Sequence, residues 1–332
     1  MQLSDKQKKI LMLLSDGQFH SGTTLAEALC VSRSAICKQF KGLSELGIQY
    51  SAVSGRGYRL EYPLELLDLT TISQGLSQDH QHLISSIEIH DSINSTNSYL
   101  VDYTQQQAKS GVVCFAEHQS AGKGRRGRTW VSPYGSNLYM SILWRFQQGG
   151  ITATAGLSLA VGVAVIRALR QHHIHDIGLK WPNDIYSQGK KLGGILIEVS
   201  GETDGPCSAV IGLGLNLFLP ASEAQTITQA WTDLSNVKGA GSISRNQLAA
   251  SLLSHILDVV NGFETIGIQP YLDEWRNYDC LQGQTATLYI GQQHIDGIVE
   301  GIDNNGLLLI KRTDGTIQAF ASGEVSFSGN IL

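Results

Sequence analysis

Residues 122–130 form a glycine-rich cationic segment with the sequence GKGRRGRTW. Glycine lets a backbone take positive φ and approach a ligand closely, and successive exposed N–H groups bind anions. Arginine adds forked donors that match phosphate or carboxylate oxygens. The segment therefore predicts a loop that is mobile when empty and closes over a polyanionic ligand. Its charge comes from four side chains within six residues: Lys123, Arg125, Arg126 and Arg128.

The spacing of Gly122, Gly124 and Gly127 also spells GxGxxG, the fingerprint of dinucleotide-binding folds. That motif needs a helix that begins within the glycines and an acidic residue about 20 positions later. Here residues 128–132 are strand-like and Pro133 follows them, so we reject this interpretation. A nucleic-acid patch is a second alternative, but one loop in an otherwise acidic region supports it weakly.

Two further polar motifs lie at the ends of predicted strands. The sequence KWPND begins at Lys180, and Pro182 favours a turn that presents Lys180 and Asp184 at the edge of a sheet. A turn without a functional role is an equal alternative on these grounds. The sequence GLGLN ends at Asn216, whose carboxamide can donate to and accept from an adenine edge.

The elements that position these motifs follow from hydrophobic periodicity. Between residues 69 and 275, helical and strand patterns alternate. Helices are expected over 156–172 and 247–263, and strands over 178–181, 191–200 and 209–218. Beyond residue 278, short strands alternate with turn sequences such as Asp303–Gly306, which is typical of a small β-barrel of the SH3 kind.

The first 62 residues predict a winged helix-turn-helix. A helix over 6–15, a second capped by Thr23 or Thr24 and a third capped by Ser32 precede a hairpin that turns at 54–57. A connection of two residues between the second and third helices matches a helix-turn-helix.

This N-terminal segment has a net charge of +3 and the remainder a net charge of -8, so we expect only the segment to meet a polyanion. Its third helix would face a major groove of DNA, and the hairpin tip would add one cation. A solvated basic face on a protein-binding module is the alternative. The candidate DNA-binding residues are Ser32, Arg33, Ser34, Lys38, Lys41 and Arg56.

Length and composition predict a cytoplasmic protein of several domains. The five cysteines form no CxxC pair, which argues against a zinc ribbon or a disulfide framework. We find no signal peptide and no run of about 18 apolar residues, so no membrane partner is expected. The expected units are a DNA-binding domain, a linker, a catalytic domain and a C-terminal domain, over residues 1–62, 63–68, 69–275 and 276–332.

Taken in order, the motifs resemble the biotin–protein ligase family in its bifunctional form, which is also the biotin operon repressor. They are Ser95-Thr96-Asn97, Gln119, GKGRRGR, KWPND, KLGGILIE and GLGLN. The resemblance covers essentially the whole chain. It implies a multidomain α/β protein with an N-terminal winged helix-turn-helix, a central catalytic domain like that of class II tRNA synthetases, and a C-terminal SH3-like barrel.

The resemblance also implies roles for individual residues. Lys191, Arg125 and Lys180 match catalytic positions, and Asp184 matches a position on the magnesium side. The biotin-binding positions are Ser95, Thr96, Asn97, Gln119, Arg125, Arg126, Gly127 and Lys191. The nucleotide-binding positions are Lys123, Arg128, Trp130, Lys180, Asn183 and Asn216. Lys123 departs from the arginine common in the family, and lysine lacks the planar fork, so we expect weaker loop closure.

By the same resemblance, the biotin carboxylate attacks the α-phosphate of Mg²⁺-ATP and expels pyrophosphate, giving biotinyl-5′-AMP. A lysine of the biotin carboxyl carrier protein of acetyl-CoA carboxylase then takes the biotinyl group and releases AMP. The adenylate is also the corepressor of a homodimer that binds operator DNA. A lipoate–protein ligase, which shares this chemistry, and a ligand-sensing transcription factor without turnover are the alternatives.

Overall fold

A computed structural model describes residues 3–62, 64–105, 109–239 and 243–327. Three helices open the chain, and each begins after a serine whose side chain accepts a backbone N–H of the first turn. Ser21 caps the second helix, not Thr23 or Thr24 as the sequence predicted, because Ser21 has the extended backbone that a cap requires. The helices are α1 (Asp5–Leu14), α2 (Gly22–Ala28) and α3 (Arg33–Glu45).

The three helices enclose a small apolar core that an antiparallel hairpin covers. The hairpin pairs β1 (Tyr50–Val53) with β2 (Gly57–Leu60), and the Tyr58 ring stacks on Phe40 at a centroid distance of 3.9 Å. Gly57 has φ +104°, and a Cβ there would lie 1.9 Å from the carbonyl oxygen of His20. Glycine is therefore needed where the hairpin approaches the start of α2.

A seven-stranded mixed sheet forms the centre of the molecule, in the order β3-β4-β5-β9-β8-β7-β6. The pair β3 and β4 is parallel, and the other neighbours are antiparallel. The strands are β3 (Ser86–His90), β4 (Val112–Ala116), β5 (Leu138–Phe146), β6 (Gly178–Lys180), β7 (Asp184–Ser187), β8 (Lys190–Gly201) and β9 (Cys207–Leu215).

Helices cover both faces of this sheet, because its central strands alternate two apolar sets. On β4, Val112 and Cys114 pack with Leu100 of α6, whereas Val113 and Phe115 join the main core with α7 and α8. The helices are α4 (Leu69–Gln74), α5 (Gln78–Leu83), α6 (Thr96–Gln105), α7 (Leu157–Gln171), α8 (Arg245–Ile266) and α9 (Leu272–Asn277).

Residues 151–171 are long and apolar enough to cross a membrane by length and composition alone. No such stretch was expected from the sequence, because this part of the chain has no unbroken run of about 18 apolar residues. Most of this stretch is α7, whose apolar residues lie in the core against α8 and the central sheet. Its composition is that of a core helix.

The C-terminal part is a five-stranded antiparallel sheet, in the order β13-β12-β11-β10-β14. Its buried side joins the main core, and β11 alternates buried and exposed residues along its length. The turn expected at Asp303–Gly306 is present, and the Asp303 carboxylate accepts the N–H groups of Asn305 and Leu307. The strands are β10 (Thr285–Ile290), β11 (Gln293–Ile302), β12 (Leu308–Lys311), β13 (Ile317–Phe320) and β14 (Glu324–Phe327).

Residues 64–68, which the sequence assigned to a linker, pack against the body of the protein. The Glu65 carboxylate accepts hydrogen bonds from the Ser244 hydroxyl and the Arg245 backbone N–H at the start of α8. Leu67 is buried in the main core. Residues 64–68 are thus a connection that is fixed to the central domain. The bounds of the four expected units stay predictions.

The N-terminal module rests on the central domain through several side chains. Tyr134 of the central domain is buried in the N-terminal core. The rings of Tyr62 and Phe218 lie 4.7 Å apart. Lys8 Nζ on α1 lies 2.9 Å from the Asp91 carboxylate, just beyond β3. Apolar and charged contacts therefore fix how the module sits on the body.

Candidate active site

A cavity lies where the ends of the central strands, residues 122–130 (hereafter the cationic loop) and the last turn of the C-terminal sheet meet. The strands bring Lys180, Asp184 and Lys191 to this edge, as the positions of KWPND and KLGGILIE predicted. The predicted site residues that line the cavity are Ser95, Thr96, Asn97, Gln119, Lys123, Arg125, Arg126, Arg128, Trp130, Lys180, Asn183, Asp184 and Lys191.

The cationic loop is held at both sides of the cavity. Arg125 Nη1 donates to Asn183 Oδ1 at 2.9 Å, which joins the loop to the turn after β6. Arg126 donates to the carbonyl of Tyr289 at 3.3 Å, and Arg128 forms an ion pair with Glu324. The sequence predicted ligand oxygens as the partners of these arginines and gave no signal for the C-terminal sheet, because Glu324 lies far along the chain.

Trp130 packs against the β9 backbone at Gly214. A Cβ at Gly214 would lie 2.6 Å from the Trp130 ring, so glycine at this point of GLGLN makes the contact possible. The Trp130 Nε1–H is buried and has no hydrogen-bond partner among the described residues.

Two ammonium groups and one carboxylate occupy the cationic end of the cavity. Lys191 Nζ lies 2.9 Å from Asp184 Oδ1, and Lys180 Nζ donates to the Tyr186 hydroxyl at 3.1 Å. Burial lowers the pKa of Lys180, and the nearby Asp184 carboxylate opposes this effect. Excess positive charge on partly desolvated groups favours an anionic ligand.

The opposite end is polar but uncharged. Thr96 and Asn97 begin α6 and are each 4% exposed. The Thr96 backbone N–H donates to Gln119 Oε1 at 2.9 Å, and Gln119 Nε2 donates to the Ser132 hydroxyl at 3.0 Å. Such a pocket suits a neutral head group that carries hydrogen-bonding atoms.

Two predicted site residues are placed differently. Gly127 lies at the exposed tip of the cationic loop with φ +76° and does not line the cavity. Asn216 is buried, and its Nδ2 donates to the carbonyl of Thr232 at 3.1 Å, so one amide hydrogen holds the 217–233 segment. Asn216 borders a neighbouring cavity with Trp130 and residues 226–231.

Asp184 is the one acidic side chain of KWPND, and the described residues contain no group of three or more His, Cys, Asp or Glu that could hold a metal ion. A single carboxylate fits a magnesium ion only together with substrate phosphates, which is how this cation is commonly bound.

The predicted DNA-binding face is exposed. Ser32 caps the start of α3, and Phe40 and Leu43 on the other face of that helix enter the N-terminal core. The Arg56 guanidinium lies over the Phe19 ring at 4.3 Å. The exposed residues are Ser32, Arg33, Ser34, Lys38, Lys41 and Arg56.

Sequence comparisons follow the same three parts. The model of the HTH domain matches residues 6–59, that of the Biotin/lipoate A/B protein ligase family matches residues 89–216, and that of the Biotin protein ligase C terminal domain matches residues 283–328. The chain is 40% identical over 319 residues to the bifunctional ligase/repressor BirA of Escherichia coli (strain K12), with 96% of each chain covered.

The chain belongs to the biotin protein ligase family. It is also 30% identical to the bifunctional ligase/repressor BirA of Bacillus subtilis (strain 168), over 96% of this chain and 98% of that protein. A biotin protein ligase from Aquifex aeolicus in complex with biotin and ATP superposes with a TM-score of 0.61 and 26% identity, covering 73% of this chain and 98% of that one. The expectation of a biotin ligase joined to a helix-turn-helix repressor segment is confirmed.

Proposed function

We propose that this protein activates biotin with ATP as biotinyl-5′-AMP and transfers it to a lysine of the biotin carboxyl carrier protein of acetyl-CoA carboxylase. The supporting observation is one cavity with an uncharged polar end at Thr96 and Gln119 and a cationic end at Lys180 and Lys191. A molecule with a neutral ring and an acyl-phosphate tail matches both ends.

In the first step, the biotin carboxylate attacks the α-phosphate of ATP and pyrophosphate leaves. Negative charge grows on the phosphoryl oxygens, so ammonium and guanidinium groups already in place stabilise the transition state. Lys191 is oriented by Asp184, and Arg125 by Asn183. Asp184 would hold Mg²⁺ together with phosphate oxygens, where the ion neutralises phosphate charge.

The nucleotide part of the site combines a ring and polar groups. Trp130 offers an aromatic ring beside Asn216, and an aromatic ring next to a carboxamide suits an adenine ring. Lys123, Arg128, Lys180 and Asn183 would contact the phosphates and ribose.

In the second step, the acceptor lysine attacks the acyl carbonyl and AMP leaves. No nucleophile from this chain is required. The Cys114 thiol could not serve as one, because it is fully buried in the core. Burial also raises the pKa of Cys114, which suppresses the thiolate. The closed loop protects the mixed anhydride from water until the acceptor arrives.

The DNA-binding proposal rests on the N-terminal module. The three helices and hairpin support a winged helix-turn-helix, with α3 in the major groove of an operator. Biotinyl-5′-AMP would act as corepressor by favouring a homodimer, whose two-fold symmetry matches a palindromic operator.

The central sheet supports a catalytic fold like that of class II tRNA synthetases, and the C-terminal strands support an SH3-like fold. The carrier protein and operator DNA, the two proposed partners, would both be met in the cytoplasm.

Pyrophosphate release with ATP and either biotin or lipoate tests the enzymatic proposal. We expect release with biotin, little with lipoate, and subsequent labelling of the carrier protein. Lys191→Met should abolish release and keep the unfolding temperature, because it removes the charge and preserves much of the side-chain volume. Equal release with lipoate favours the lipoate–protein ligase alternative, and a folded Lys191→Met protein with normal release contradicts the role of Lys191.

A further inference from the structure

Lys180, at the end of β6, is a buried cation that borders both the main cavity and the neighbouring one beside Trp130. The residue is 9% exposed. Its Nζ donates to the Tyr186 hydroxyl, but it forms no ion pair with a carboxylate of any described residue. Lys191 differs, because the Asp184 carboxylate contacts its ammonium group directly. Other groups must therefore stabilise the buried charge of Lys180.

Two aromatic rings lie against this ammonium group. Lys180 Nζ is 4.9 Å from the centre of the Tyr186 ring and 5.3 Å from the centre of the Phe327 ring, and the two ring centres are 6.1 Å apart. The face of an aromatic ring attracts a cation within about 6 Å of its centre, most strongly where water is excluded. Tyr186 also offers its hydroxyl, whereas Phe327 can act only through its ring.

The C-terminal sheet fixes the position of Phe327. Strand β14 pairs with β10, which places Phe327 opposite Ala286, and the Phe327 side chain packs against the main core. Phe327 also borders the cavity that Trp130 and Asn216 line. A ring from the C-terminal sheet therefore reaches the end of a central strand, where the phosphates of ATP are proposed to bind.

The titratable groups around Lys180 act in opposite directions on its charge. Burial lowers the pKa of Lys180, the nearby Asp184 raises it, and the like charge of Lys191 lowers it. Glu324 raises this pKa from the C-terminal sheet. Cys280 also faces the group, but burial raises the pKa of that thiol to about 12, which keeps it neutral at neutral pH. A favourable contact with a ring therefore extends the pH range over which Lys180 stays charged.

An aromatic ring and a carboxylate stabilise a cation differently. A carboxylate in contact cancels much of the field of an ammonium group, whereas a ring carries no net charge. We propose that Phe327 is a positioning residue that keeps the Lys180 ammonium group charged and in place for the phosphates of ATP. The inference rests on the proposed function, in which Lys180 binds these phosphates. It gives the C-terminal sheet a part in nucleotide binding that acts through Lys180.

Phe327→Leu is the informative replacement, because leucine keeps an apolar side chain and removes the ring. We measure pyrophosphate release with biotin at varied ATP concentration. The KM for ATP is expected to rise about tenfold, and the KM for biotin should change little, since the contact lies at the phosphate end. Phe327→Tyr restores a ring face and should keep most of the affinity for ATP. Phe327→Met replaces the leucine variant if that one does not fold, because methionine is flexible and has no ring.

The pH profile separates this role from looser packing of the sheet. Lys180 must carry its proton to attract phosphate, and the ring stabilises the charged form, so without the ring the proton is lost at lower pH. The alkaline limb of kcat/KM for ATP should therefore move to lower pH in Phe327→Leu and stay in place in Phe327→Tyr. Phe320→Leu is the matched control, because it makes the same change in β13 of the same sheet. It should leave the KM for ATP and the alkaline limb unchanged.

A direct contact between Phe327 and the nucleotide must be separated from an action through Lys180. Calorimetry measures the affinity for an α,β-methylene analogue of ATP in the wild type, in Phe327→Leu, in Lys180→Met and in the double variant. If Phe327 acts through Lys180, its replacement adds little to Lys180→Met. An equal loss in both backgrounds, or the same alkaline shift in Phe320→Leu, overturns the proposal.

Turnover by the wild-type protein separates this inference from the function on which it rests. If the wild type releases pyrophosphate with biotin, and folded Phe327→Leu protein keeps the KM for ATP and the alkaline limb, only the role of Phe327 is wrong. If the wild type releases no pyrophosphate with biotin, the proposed function itself fails.

Discussion

Asp279 lies where the central domain leads into the C-terminal sheet, beside β6. Its Oδ1 accepts the backbone N–H of Leu281 at 2.8 Å, while its Oδ2 is buried without a hydrogen bond to any described residue. Burial raises the pKa of Asp279 from 3.8 to about 6, although backbone N–H groups act in the opposite direction. The folded protein thus ionises this carboxyl at a cost.

Asp279→Asn is expected to raise the unfolding temperature at pH 7.5. Between pH 3.8 and about 6 the folded chain keeps a proton that the unfolded chain has lost, so the stability due to this group falls as pH rises. The variant avoids this loss and should gain about 1–2 kcal/mol above pH 6. Circular dichroism melts at several pH values measure it. A gain of the same size at pH 3.5 would contradict the titration.

At the scale of single residues, most of the predicted site residues line the cavity. The pattern of glycine and cations predicted those of the cationic loop, and the family resemblance supplied Ser95, Thr96, Asn97 and Gln119. The sequence did not predict Glu198, which accepts a hydrogen bond from Asn97 Nδ2, or Glu324, which pairs with Arg128. Each acts on a residue that is distant in sequence, and no local pattern marks a carboxylate for such a contact. Gly127 was assigned to the biotin site from its motif, but its positive φ shapes the loop tip.

Among the elements, the cationic loop is held in place by side-chain contacts. The backbone of residues 125–127 forms a single short helical turn with Arg126 at φ +56°, which is costly for a residue other than glycine. The hydrogen bond from Arg125 to Asn183 and the ion pair from Arg128 to Glu324 offset that cost. The closed form of the loop therefore depends on the same arginines that would contact the ligand.

Arg125→Gly is expected to let biotinyl-5′-AMP escape before transfer. The variant loses the anchor to Asn183 and gains backbone freedom, so the closed loop is less populated. Biotin should then appear on lysines of bystander proteins, detected by avidin blotting of a mixture with serum albumin. Arg312→Gly, at an exposed arginine in the C-terminal sheet, is the control. Labelling confined to the carrier protein would refute the retaining role of Arg125.

Periodicity predicted α7, α8, β8 and β9 to within a few residues, because each has a long and clear apolar pattern. The edge strand β3 and the helices α4 and α5 were not predicted. They are short, and their stability comes from packing against the sheet and α8 more than from local preference. The order of the seven strands was also beyond reach, since β9 inserts between β5 and β8 through contacts distant in sequence.

For the molecule as a whole, we expect Arg33→Ala with Lys38→Ala to weaken operator binding at least tenfold and to lower the salt dependence. Two fewer phosphate or base contacts release about two fewer counterions. Fluorescence anisotropy at several salt concentrations measures both quantities. The pair Lys311→Ala with Arg312→Ala removes equal charge from the C-terminal sheet as a control. Identical affinity and salt slope in the α3 variant would exclude this face.

Tyr134 belongs to the central domain by sequence but is buried among the side chains of the N-terminal module. A protein without that module would expose this ring, together with Leu64 and Leu66, as an apolar surface patch. The shortened protein is expected to aggregate unless those three positions carry polar residues. Loss of the module by deletion would therefore require polar replacements on the surface of the enzyme.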